Sequence, residues 1–351
     1  MAASDQVFAV PVVPLSSGKA MPRVGLGTAS FPLGETGDRR PHVRDAVLRA
    51  IDAGYRHFDS AAVYGTERAI GDAAAEALRA GTLASRDELF VSSKLWIADA
   101  HPGSVLPALR KTRPFSMNLQ MEYVDLYLIH FPVSMKVTEA GGWSMLVKEN
   151  LVAMDMKGVW EEMEECHRQG LAKAIGVSNF TCKKLEHLLS FVEIIPAVNQ
   201  VEVHPYCRQN KLRAFCRKKG IQLCAYSPLG GKGTPWANNS VTDSPVLKQI
   251  AQDMGKTVAQ VCIRWVYEQG DCVIPKSFNE KRMRENLDIF NWELTKDACY
   301  QIRSLPEFRG SYDFFVHDSG PFKTAEEFWD GEIVFGQSSQ SAGLLGLDST
   351  S

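Results

Sequence analysis

Residues 43–59 read VRDAVLRAIDAGYRHFD and hold one complete helix-to-strand unit. Apolar residues recur at helical spacing over 43–53 and predict an amphipathic helix, which ends at Gly54. The mostly apolar run Tyr55–Asp59 follows directly and predicts a short strand. A helix joined to a strand by a single glycine is typical of proteins built from repeated βα units.

The same alternation recurs along the chain. Further amphipathic stretches over 66–80, 158–169 and 212–219 each end at a glycine. Eight short apolar runs predict strands, and these are Arg23–Gly27, Tyr55–Asp59, Leu89–Lys94, Val124–His130, Ala172–Ser178, Ala197–Gln200, Gln222–Ser227 and Cys272–Lys276. Eight alternations of strand and helix favour an α/β fold of the (β/α)8 or TIM barrel type over an open doubly wound sheet.

Segments outside this alternation predict additions to the barrel. Val12–Leu15 and Lys19–Met21 predict a β-hairpin ahead of the first strand. Phe131–Asp155 and Leu229–Ser244 predict long loops after the fourth and seventh strands. In a barrel such loops lie on the catalytic face, where they commonly set specificity.

The composition is that of an ordinary globular protein. Of 351 residues, 45% are apolar, and 39 basic residues against 41 acidic ones leave no electrostatic footprint for nucleic acid or an anionic membrane. No apolar run reaches the roughly eighteen residues of a membrane span, and the first eighteen residues lack the Lys or Arg of a secretory signal. Eight dispersed cysteines favour reduced thiols and a cytoplasmic location, and their spacing predicts no metal site.

The domain organisation follows from these patterns. We expect residues 1–335 to form a single barrel domain with a C-terminal loop that contributes to the substrate site. Residues 336–351, rich in Gly, Ser and Leu, are expected to be a disordered tail. We further expect a monomer.

Polar side chains stand at the carboxyl ends of most predicted strands, where the catalytic groups of a barrel converge on one mouth. They are Asp59, Lys94, His130, Ser178 with Asn179, Gln200, Ser227 and Lys276. Taken singly, Asp59 could cap a turn, His130 could be a hydrogen-bonded core residue and Lys94 a solvated lysine. Taken together they favour a site, because a Lys and an Asp that face a barrel core need each other's charge.

Tyr64 follows Asp59 by five residues and can reach back over the same mouth. A phenol is a weak acid at neutral pH unless its surroundings change its pKa. A nearby ammonium such as Lys94 lowers the phenol pKa, and an aspartate keeps that ammonium charged and in place. His130 would then hydrogen-bond a carbonyl oxygen and orient it. The set suggests proton donation to a carbonyl, and no Gly-x-Gly-x-x-Gly motif supports a Rossmann cofactor site.

Motifs at these strand ends resemble the aldo-keto reductase family. They are GYRHFDSA (54–61) with Tyr64 and Glu67, LYLIH (126–130), GVSNF (176–180), NQVEVHP (199–205), AYSPL (225–229) and IPKS (274–277). The resemblance runs from about Val12 to Pro306 and implies a barrel plugged at its bottom by the N-terminal hairpin. It also implies NADPH bound at the top and a small-molecule carbonyl substrate.

The resemblance assigns roles residue by residue. It implies a catalytic tetrad of Asp59, Tyr64, Lys94 and His130, with Tyr64 as the proton donor. The implied cofactor-binding residues are Gly27, Thr28, Asp59, Ser178, Asn179, Gln200, Tyr226, Ser227, Leu229, Lys276, Ser277, Arg282, Glu285 and Asn286. Within this set, Ser178, Asn179 and Gln200 resemble the carboxamide-binding residues, and Tyr226 resembles the ring that stacks on the nicotinamide. Ser227 and Leu229 resemble the residues that line the pyrophosphate, and Glu285 and Asn286 resemble those beside the adenine.

A second part of the assignment concerns the 2′-phosphate and the substrate. Lys276, Ser277 and Arg282 resemble the 2′-phosphate clamp, and two cations with a hydroxyl suit a phosphate dianion, which favours NADPH over NADH. The expected substrate-binding residues are Tyr64, Trp96, His130, Phe131 and Trp236.

Within the family, the chain is most similar to a plant branch that includes the codeinone reductases, the chalcone reductases and, closest of these, the deoxymugineic acid synthases of grasses. The segments SKLW (93–96), GTPW (233–236) and FWDG (328–331) are among those that carry this similarity. The similarity implies reduction of a 3″-keto acid to 2′-deoxymugineic acid, an iron-chelating phytosiderophore. Two alternatives remain open at this point: a general or specialised-metabolite carbonyl reductase, and a regulatory module that binds NADPH with little turnover.

Overall fold

The computed structural model of the chain describes residues 9–29, 40–112, 119–136, 146–232, 234, 239–310 and 313–332, with the backbone alone at 40–41 and 111–112. In chain order its strands are β1 (Val12–Pro14), β2 (Ala20–Pro22), β3 (Leu26–Gly27), β4 (His57–Asp59), β5 (Phe90–Leu95), β6 (Val124–Ile129), β7 (Ser134–Met135), β8 (Leu151–Val152), β9 (Ala172–Ser178), β10 (Val198–Glu202), β11 (Gln222–Tyr226) and β12 (Cys272–Val273). Its α-helices are α1 (Arg40–Ala53), α2 (Glu67–Arg79), α3 (Val105–Thr112), α4 (Met156–Arg168), α5 (Cys182–Leu188), α6 (Asn210–Lys219), α7 (Ser240–Asp243), α8 (Pro245–Asp253), α9 (Val258–Glu268), α10 (Glu280–Leu287), α11 (Lys296–Arg303) and α12 (Ala325–Trp329). The predicted helical stretches correspond to α1, α2, α4 and α6.

Eight strands form one parallel sheet in the order β12-β11-β10-β9-β6-β5-β4-β3. The two outer strands of this order are joined by a parallel bridge between Val24 and Val273. The Gly25 N–H donates to the Val273 carbonyl at 2.9 Å, and the Val273 N–H donates to the Arg23 carbonyl at 2.8 Å. The sheet therefore closes on itself, and the predicted (β/α)8 barrel is confirmed.

Side chains of the barrel strands alternate between the barrel interior and the surrounding helices, as the two-residue period of a strand requires. In β6, Leu128 belongs to the interior cluster, whereas Tyr127 and Ile129 pack among the helices. The hairpin β1-β2 pairs antiparallel, and its Leu15 and Met21 join the interior cluster. The predicted N-terminal plug is therefore present.

The mouth of the barrel, meaning the carboxyl ends of its strands, is surrounded by long connections. The loop between β6 and α4 contains the small hairpin β7-β8, and the loop between β11 and α8 contains α7. The C-terminal segment 313–332 supplies Phe315 and Phe328 to a cluster with Trp96 and Val133 beside the mouth. The expected tail lies outside the described residues, and among the described ones no helix combines the length and apolar character needed to cross a bilayer.

Candidate active site

A buried ion pair stands at the carboxyl ends of β4 and β5. Asp59 ends β4, Lys94 is the fifth residue of β5, and both side chains point into the barrel. The Lys94 Nζ lies 2.7 Å from Asp59 Oδ2 and donates a second hydrogen bond to the Ser60 carbonyl at 2.8 Å. The Lys94 side chain is 0% exposed and that of Asp59 is 4% exposed. Burial without pairing would be costly for either charge, so each holds the other in the interior.

The second oxygen of the Asp59 carboxylate is also satisfied. Its Oδ1 accepts hydrogen bonds from the Ser92 hydroxyl and from the Gln200 amide, each at 2.8 Å. Ser92 lies directly opposite Asp59 in the parallel register of β4 and β5. Hydrogen bonds on both oxygens fix the carboxylate plane, so the position of the Lys94 ammonium is defined by strand register.

Tyr64 closes the group from a short 3₁₀ turn, Ala62–Tyr64, that follows β4. Its ring centre lies 4.9 Å from Lys94 Nζ, and its hydroxyl oxygen lies 3.4 Å from Nε2 of His130. His130 follows the end of β6, and its ring meets that of Tyr64 edge-on at 5.5 Å. The four residues predicted as a tetrad therefore come together at one mouth.

The surroundings set the charge states of these groups. Burial raises the pKa of the Tyr64 phenol, and the Lys94 ammonium opposes that rise only in part. We expected Lys94 to lower this pKa; it has that effect, but desolvation of the phenolate outweighs it. Burial lowers the pKa of Lys94, but the charge and hydrogen bond of Asp59, with smaller contributions from Tyr64 and Cys224, together raise it by more, so the ammonium stays charged. Burial, aided by Lys94, lowers the pKa of His130 well below its ordinary value and leaves a neutral imidazole at neutral pH.

A second set of predicted residues forms a hydrogen-bonded group beside the tetrad. Ser178 ends β9 and Tyr226 ends β11, whereas Gln200, which was predicted to end its strand, is the third residue of β10. The Ser178 hydroxyl donates to the Gln200 carbonyl at 2.7 Å, and the Asn179 amide donates to the His130 carbonyl at 3.0 Å. The Tyr226 hydroxyl donates to Asn179 Oδ1 at 2.7 Å. Gln200, which also bonds Asp59, thus links this group to the tetrad.

Two residues of this region hold left-handed backbone conformations. Asn179 has φ 64° and Ser227 has φ 49°, and each directly follows a barrel strand. A left-handed backbone conformation costs a non-glycine residue roughly 1 kcal/mol or more, and such strain concentrates at binding sites. Leu229 is half-buried two residues further on.

Two cations lie beyond the end of the eighth barrel strand, Lys276 in the loop after β12 and Arg282 on α10. Lys276 and Arg282 are both exposed, and the Arg282 guanidinium contacts the buried Ser277 hydroxyl at 3.5 Å. Partial burial and then the charge of Arg282 lower the pKa of Lys276. Among the described residues, no carboxylate lies within 4.0 Å of either cation. Two like charges held together in this way form a ready anion site.

The other predicted cofactor residues have more ordinary surroundings. Glu285 pairs with Lys281 at 3.9 Å on α10, and Asn286 is buried beside the Tyr55 hydroxyl. The Thr28 hydroxyl is fully buried and donates to the Asp59 carbonyl at 2.8 Å, and its backbone N–H donates to the same oxygen at 3.1 Å, so both donors are already used within the protein. Close packing explains the glycine at position 27, because a Cβ added there would lie 3.2 Å from the Ile274 carbonyl oxygen.

Aromatic rings line one side of the mouth. The Phe131 ring stacks on the His130 ring, with 4.9 Å between the ring centres, and its centre lies 4.3 Å from that of Phe315. The Trp96 ring meets the His130 ring edge-on, with 5.5 Å between the centres. Trp236 lies outside the described residues. Sequence reasoning missed Phe315; the signal that could have found it is the concentration of aromatic residues over 308–329.

Comparison with known proteins agrees with this geometry. Residues 23–307 match the model of the Aldo/keto reductase family. The chain belongs to the aldo-keto reductase family. Deoxymugineic acid synthase 1 of Oryza sativa subsp. japonica is 59% identical over 319 residues, which cover 90% of this chain and 97% of that protein. The predicted family, its plant branch and the oxidoreductase class are thereby confirmed.

Two further relatives show how widely this family scaffold is used. A (1S)-1,7-diacetoxy-luvungin A aldo-keto reductase of Citrus sinensis is 53% identical over 328 residues, which cover 93% of this chain and 99% of that protein. The crystal structure of an aldo-keto reductase of Bombyx mori in complex with NADP has a TM-score of 0.73 and 36% identity, covering 84% of this chain and 92% of that one. Relatives with different named substrates thus share one aldo-keto reductase framework.

Proposed function

We propose that this aldo-keto reductase reduces a ketone or aldehyde to an alcohol with NADPH, using Tyr64 as the proton donor. The observation that carries the proposal is the Tyr64 hydroxyl, 3.4 Å from a neutral His130 and beside the buried Lys94–Asp59 pair. A general acid needs a proton to give and a stabilised conjugate base, and this arrangement provides both.

The residues around the mouth fit NADPH. Two cations, Lys276 and Arg282, and the Ser277 hydroxyl lie near one another, and among the described residues no carboxylate pairs with either cation. This set suits the 2′-phosphate. Ser178, Asn179 and Gln200 would hold the carboxamide, and the half-buried Tyr226 ring would face the nicotinamide. When bound, NADPH supplies the hydride that the carbonyl carbon accepts.

The chain's own residues handle the proton. Tyr64 carries its proton at neutral pH and gives it to the carbonyl oxygen. The Lys94 ammonium stabilises the phenolate that remains, and the Asp59 carboxylate keeps that ammonium charged. His130 is neutral and donates one N–H toward the carbonyl oxygen, which fixes the direction from which the proton arrives.

The finer proposal is reduction of a 3″-keto acid to 2′-deoxymugineic acid. Its support is the 59% identity with the rice deoxymugineic acid synthase across almost the whole of that protein. An amino-carboxylate substrate needs cations at the mouth, and Lys136 and Lys232 are exposed in the two long mouth loops. Lys148 is tied to the Asp313 carbonyl at 2.7 Å and serves instead to join a mouth loop to the C-terminal segment.

The test measures NADPH oxidation by the purified protein with the 3″-oxo precursor and with simple aldehydes under identical conditions. We expect the keto acid to have the highest kcat/KM. Turnover of simple aldehydes alone would retain the reductase and reject the finer proposal, whereas tight NADPH binding without turnover of any carbonyl would indicate a regulatory module.

Tyr64→Phe tests the acid. Reduction should fall by roughly 10²–10⁴-fold, the usual contribution of a general acid, while the NADPH dissociation constant stays nearly unchanged. Tyr300→Phe is the matched control, because Tyr300 is 68% exposed on α11 and should leave both quantities unaltered. Full activity of Tyr64→Phe would refute the acid role. The expected monomeric state, cytoplasmic location and domain limits stay predictions.

A further inference from the structure

Two adjacent serines of β5 face opposite sides of the strand. Ser92 lies on the same face as Lys94 two residues later, and its hydroxyl donates to Asp59 Oδ1 at 2.8 Å inside the barrel. Ser93 faces the other way, and its hydroxyl donates to the carboxylate of Glu67 on α2. Both serines are 0% exposed. Ser92 lies outside every motif on which the proposed function rests.

Ser92 and Lys94 hold the two oxygens of one carboxylate from a single strand. Lys94 takes Oδ2 at 2.7 Å and Ser92 takes Oδ1 at 2.8 Å, so rotation of the Asp59 carboxylate would break one of these bonds. An ionised carboxylate only accepts hydrogen bonds, so Ser92 must be the donor. The single proton of its hydroxyl is therefore committed to Asp59.

The Ser92 hydroxyl is itself oriented from below. His57 lies two residues before Asp59 on β4, on the same interior face, and its Nε2 is 3.4 Å from Ser92 Oγ. Burial lowers the pKa of His57 to about 4, so the imidazole is neutral and its N–H can point to Ser92. The ring packs against Gly25, which directly precedes β3, and a Cβ added there would lie 2.5 Å from His57 Nδ1. His57, Ser92, Asp59 and Lys94 thus form one chain of contacts that ends beside Tyr64.

We propose that Ser92, oriented by His57, is a positioning residue for the reduction, because it fixes the Asp59 carboxylate and through it the Lys94 ammonium beside Tyr64. The inference rests on the proposed role of Tyr64 as the acid. Titratable groups near this chain on other strands are His130 after β6, Cys224 on β11 and Asp125 on β6. Cys224 is buried with a raised pKa, and Asp125, whose charge acts on His57, is paired with Lys19 and Arg86. Near neutral pH, Lys94 and Asp59 therefore carry the charges that act on Tyr64.

Loss of the Ser92 hydroxyl leaves the Gln200 amide as the one described donor to Asp59 Oδ1, so the carboxylate should be freer to turn and Lys94 less well placed. Since the ammonium lowers the phenol pKa, a displaced ammonium should let that pKa rise. Ser92→Ala should therefore lower kcat about tenfold, the effect of one hydrogen bond to a charged group, and move the alkaline limb of the kcat profile to higher pH. The NADPH dissociation constant should stay within about twofold, because Ser92 is not among the proposed cofactor residues.

Three variants and one spectroscopic titration make the test specific. Ser92→Thr keeps the hydroxyl and should restore kcat and the profile, whereas Ser92→Cys keeps the volume with a weak donor and should follow Ser92→Ala if the latter does not fold. Ser93→Ala removes a buried hydroxyl from the same strand and should alter neither kcat nor the profile. Ionisation of tyrosine side chains is followed by the absorbance of tyrosinate as the pH rises. Subtracting the signal of a variant with Tyr64→Phe from that of the same protein with Tyr64 leaves the contribution of Tyr64 alone. This difference should give a higher pKa in the Ser92→Ala background than in the wild type.

The outcomes separate the two proposals. If the wild-type protein reduces carbonyls and Tyr64→Phe is inactive, but Ser92→Ala matches wild type in kcat and in the Tyr64 titration, the role of Ser92 is rejected alone. An equal effect of Ser93→Ala would also overturn it, because the cause would then be general loss of packing. If Tyr64→Phe remains fully active, the proposed acid fails first and independently of Ser92.

Discussion

The floor and the wall of the mouth are built on different principles. On the floor, Asp59 and Lys94 stand at the ends of adjacent parallel strands, 2.7 Å apart, and strand register fixes that distance. The wall is the group of aromatic rings beside the mouth. There the ring centres of Phe131, from a loop, and Phe315, from the C-terminal segment, lie 4.3 Å apart. Polar contacts on the floor are directional, whereas ring contacts in the wall can shift without losing a defined partner.

This difference teaches how one scaffold can keep a reaction while its substrates vary. The groups that handle the proton depend on neighbouring strands, so a change there alters the chemistry itself. The wall depends on segments that join only at the mouth, and a change there alters which carbonyl fits. Substitutions on the floor should therefore act on kcat, and those in the wall on KM.

Lys94→Met is expected to have the largest effect. It removes the charge that stabilises the Tyr64 phenolate, so kcat should fall by roughly 10³-fold or more. It also leaves the Asp59 carboxylate buried without its cation, which should lower the free energy of unfolding by about 3–5 kcal/mol. Steady-state kinetics and denaturant unfolding measure the two quantities.

Lys157→Met is the control for that substitution. Lys157 is 66% exposed on α4 and pairs with Glu161 at 3.9 Å, so its loss should cost less than about 1 kcal/mol and leave kcat unaltered. A folded Lys94→Met protein with near-wild-type kcat would show that strand register does not set the chemistry.

Arg282→Ala should have an intermediate effect, limited to the cofactor. The loss of one charge-assisted contact to the 2′-phosphate should weaken NADPH binding by about 10- to 100-fold and leave NADH binding nearly unchanged. The dissociation constants of both cofactors, measured by fluorescence titration, check the expectation. Arg284→Ala on the same helix is the control, because Arg284 pairs with Glu280 at 3.4 Å. Equal losses for NADPH and NADH would contradict the phosphate clamp.

The sequence predicted the floor well because short-range signals define it. Four of the barrel strands, β4, β9, β11 and β12, begin two or three residues after a glycine, and polar residues near the strand ends mark the mouth. Errors fall at strand ends: the eighth strand was expected to reach Lys276 but ends at Val273, close to Pro275, which has no N–H for a ladder. Tyr64 was found from its spacing to Asp59 and from the family motif.

The sequence could not predict contacts that depend on distant segments or on single polar residues in apolar strands. Phe315 meets Phe131 only because the C-terminal segment returns to the mouth, and no local pattern states where such a segment docks. Ser92 and Ser93 are adjacent and chemically identical; the strand period places Ser92 on the face of Lys94, but only the register with β4 shows that its hydroxyl meets Asp59. Trp236 was expected in the wall, and this stays a prediction.

The attachment of the C-terminal segment offers the most sensitive test of the wall. Asp330, just after α12, lies 2.5 Å from the Lys184 ammonium and accepts a hydrogen bond from Thr181 at 2.6 Å. Burial raises the pKa of Asp330, but the hydrogen bonds from Lys184 and Thr181, together with the charges of Lys184 and Lys183, lower it by more, so the net direction is down. The attachment is therefore complete above the ordinary carboxyl pKa and weakens as the pH falls through the lowered value.

Asp330→Asn should loosen the segment that carries Phe315 and raise the KM of the carbonyl substrate about two- to fivefold at neutral pH, with kcat and NADPH affinity nearly unchanged. Asp318→Asn in the same segment is the control, since Asp318 is exposed. The wild-type KM should rise in the same way only at acidic pH, where Asp330 takes up a proton, and the Asp330→Asn protein should lose that dependence. A fall in kcat without a change in KM would mean that the segment acts on the floor, and the division of labour between the two regions would not hold.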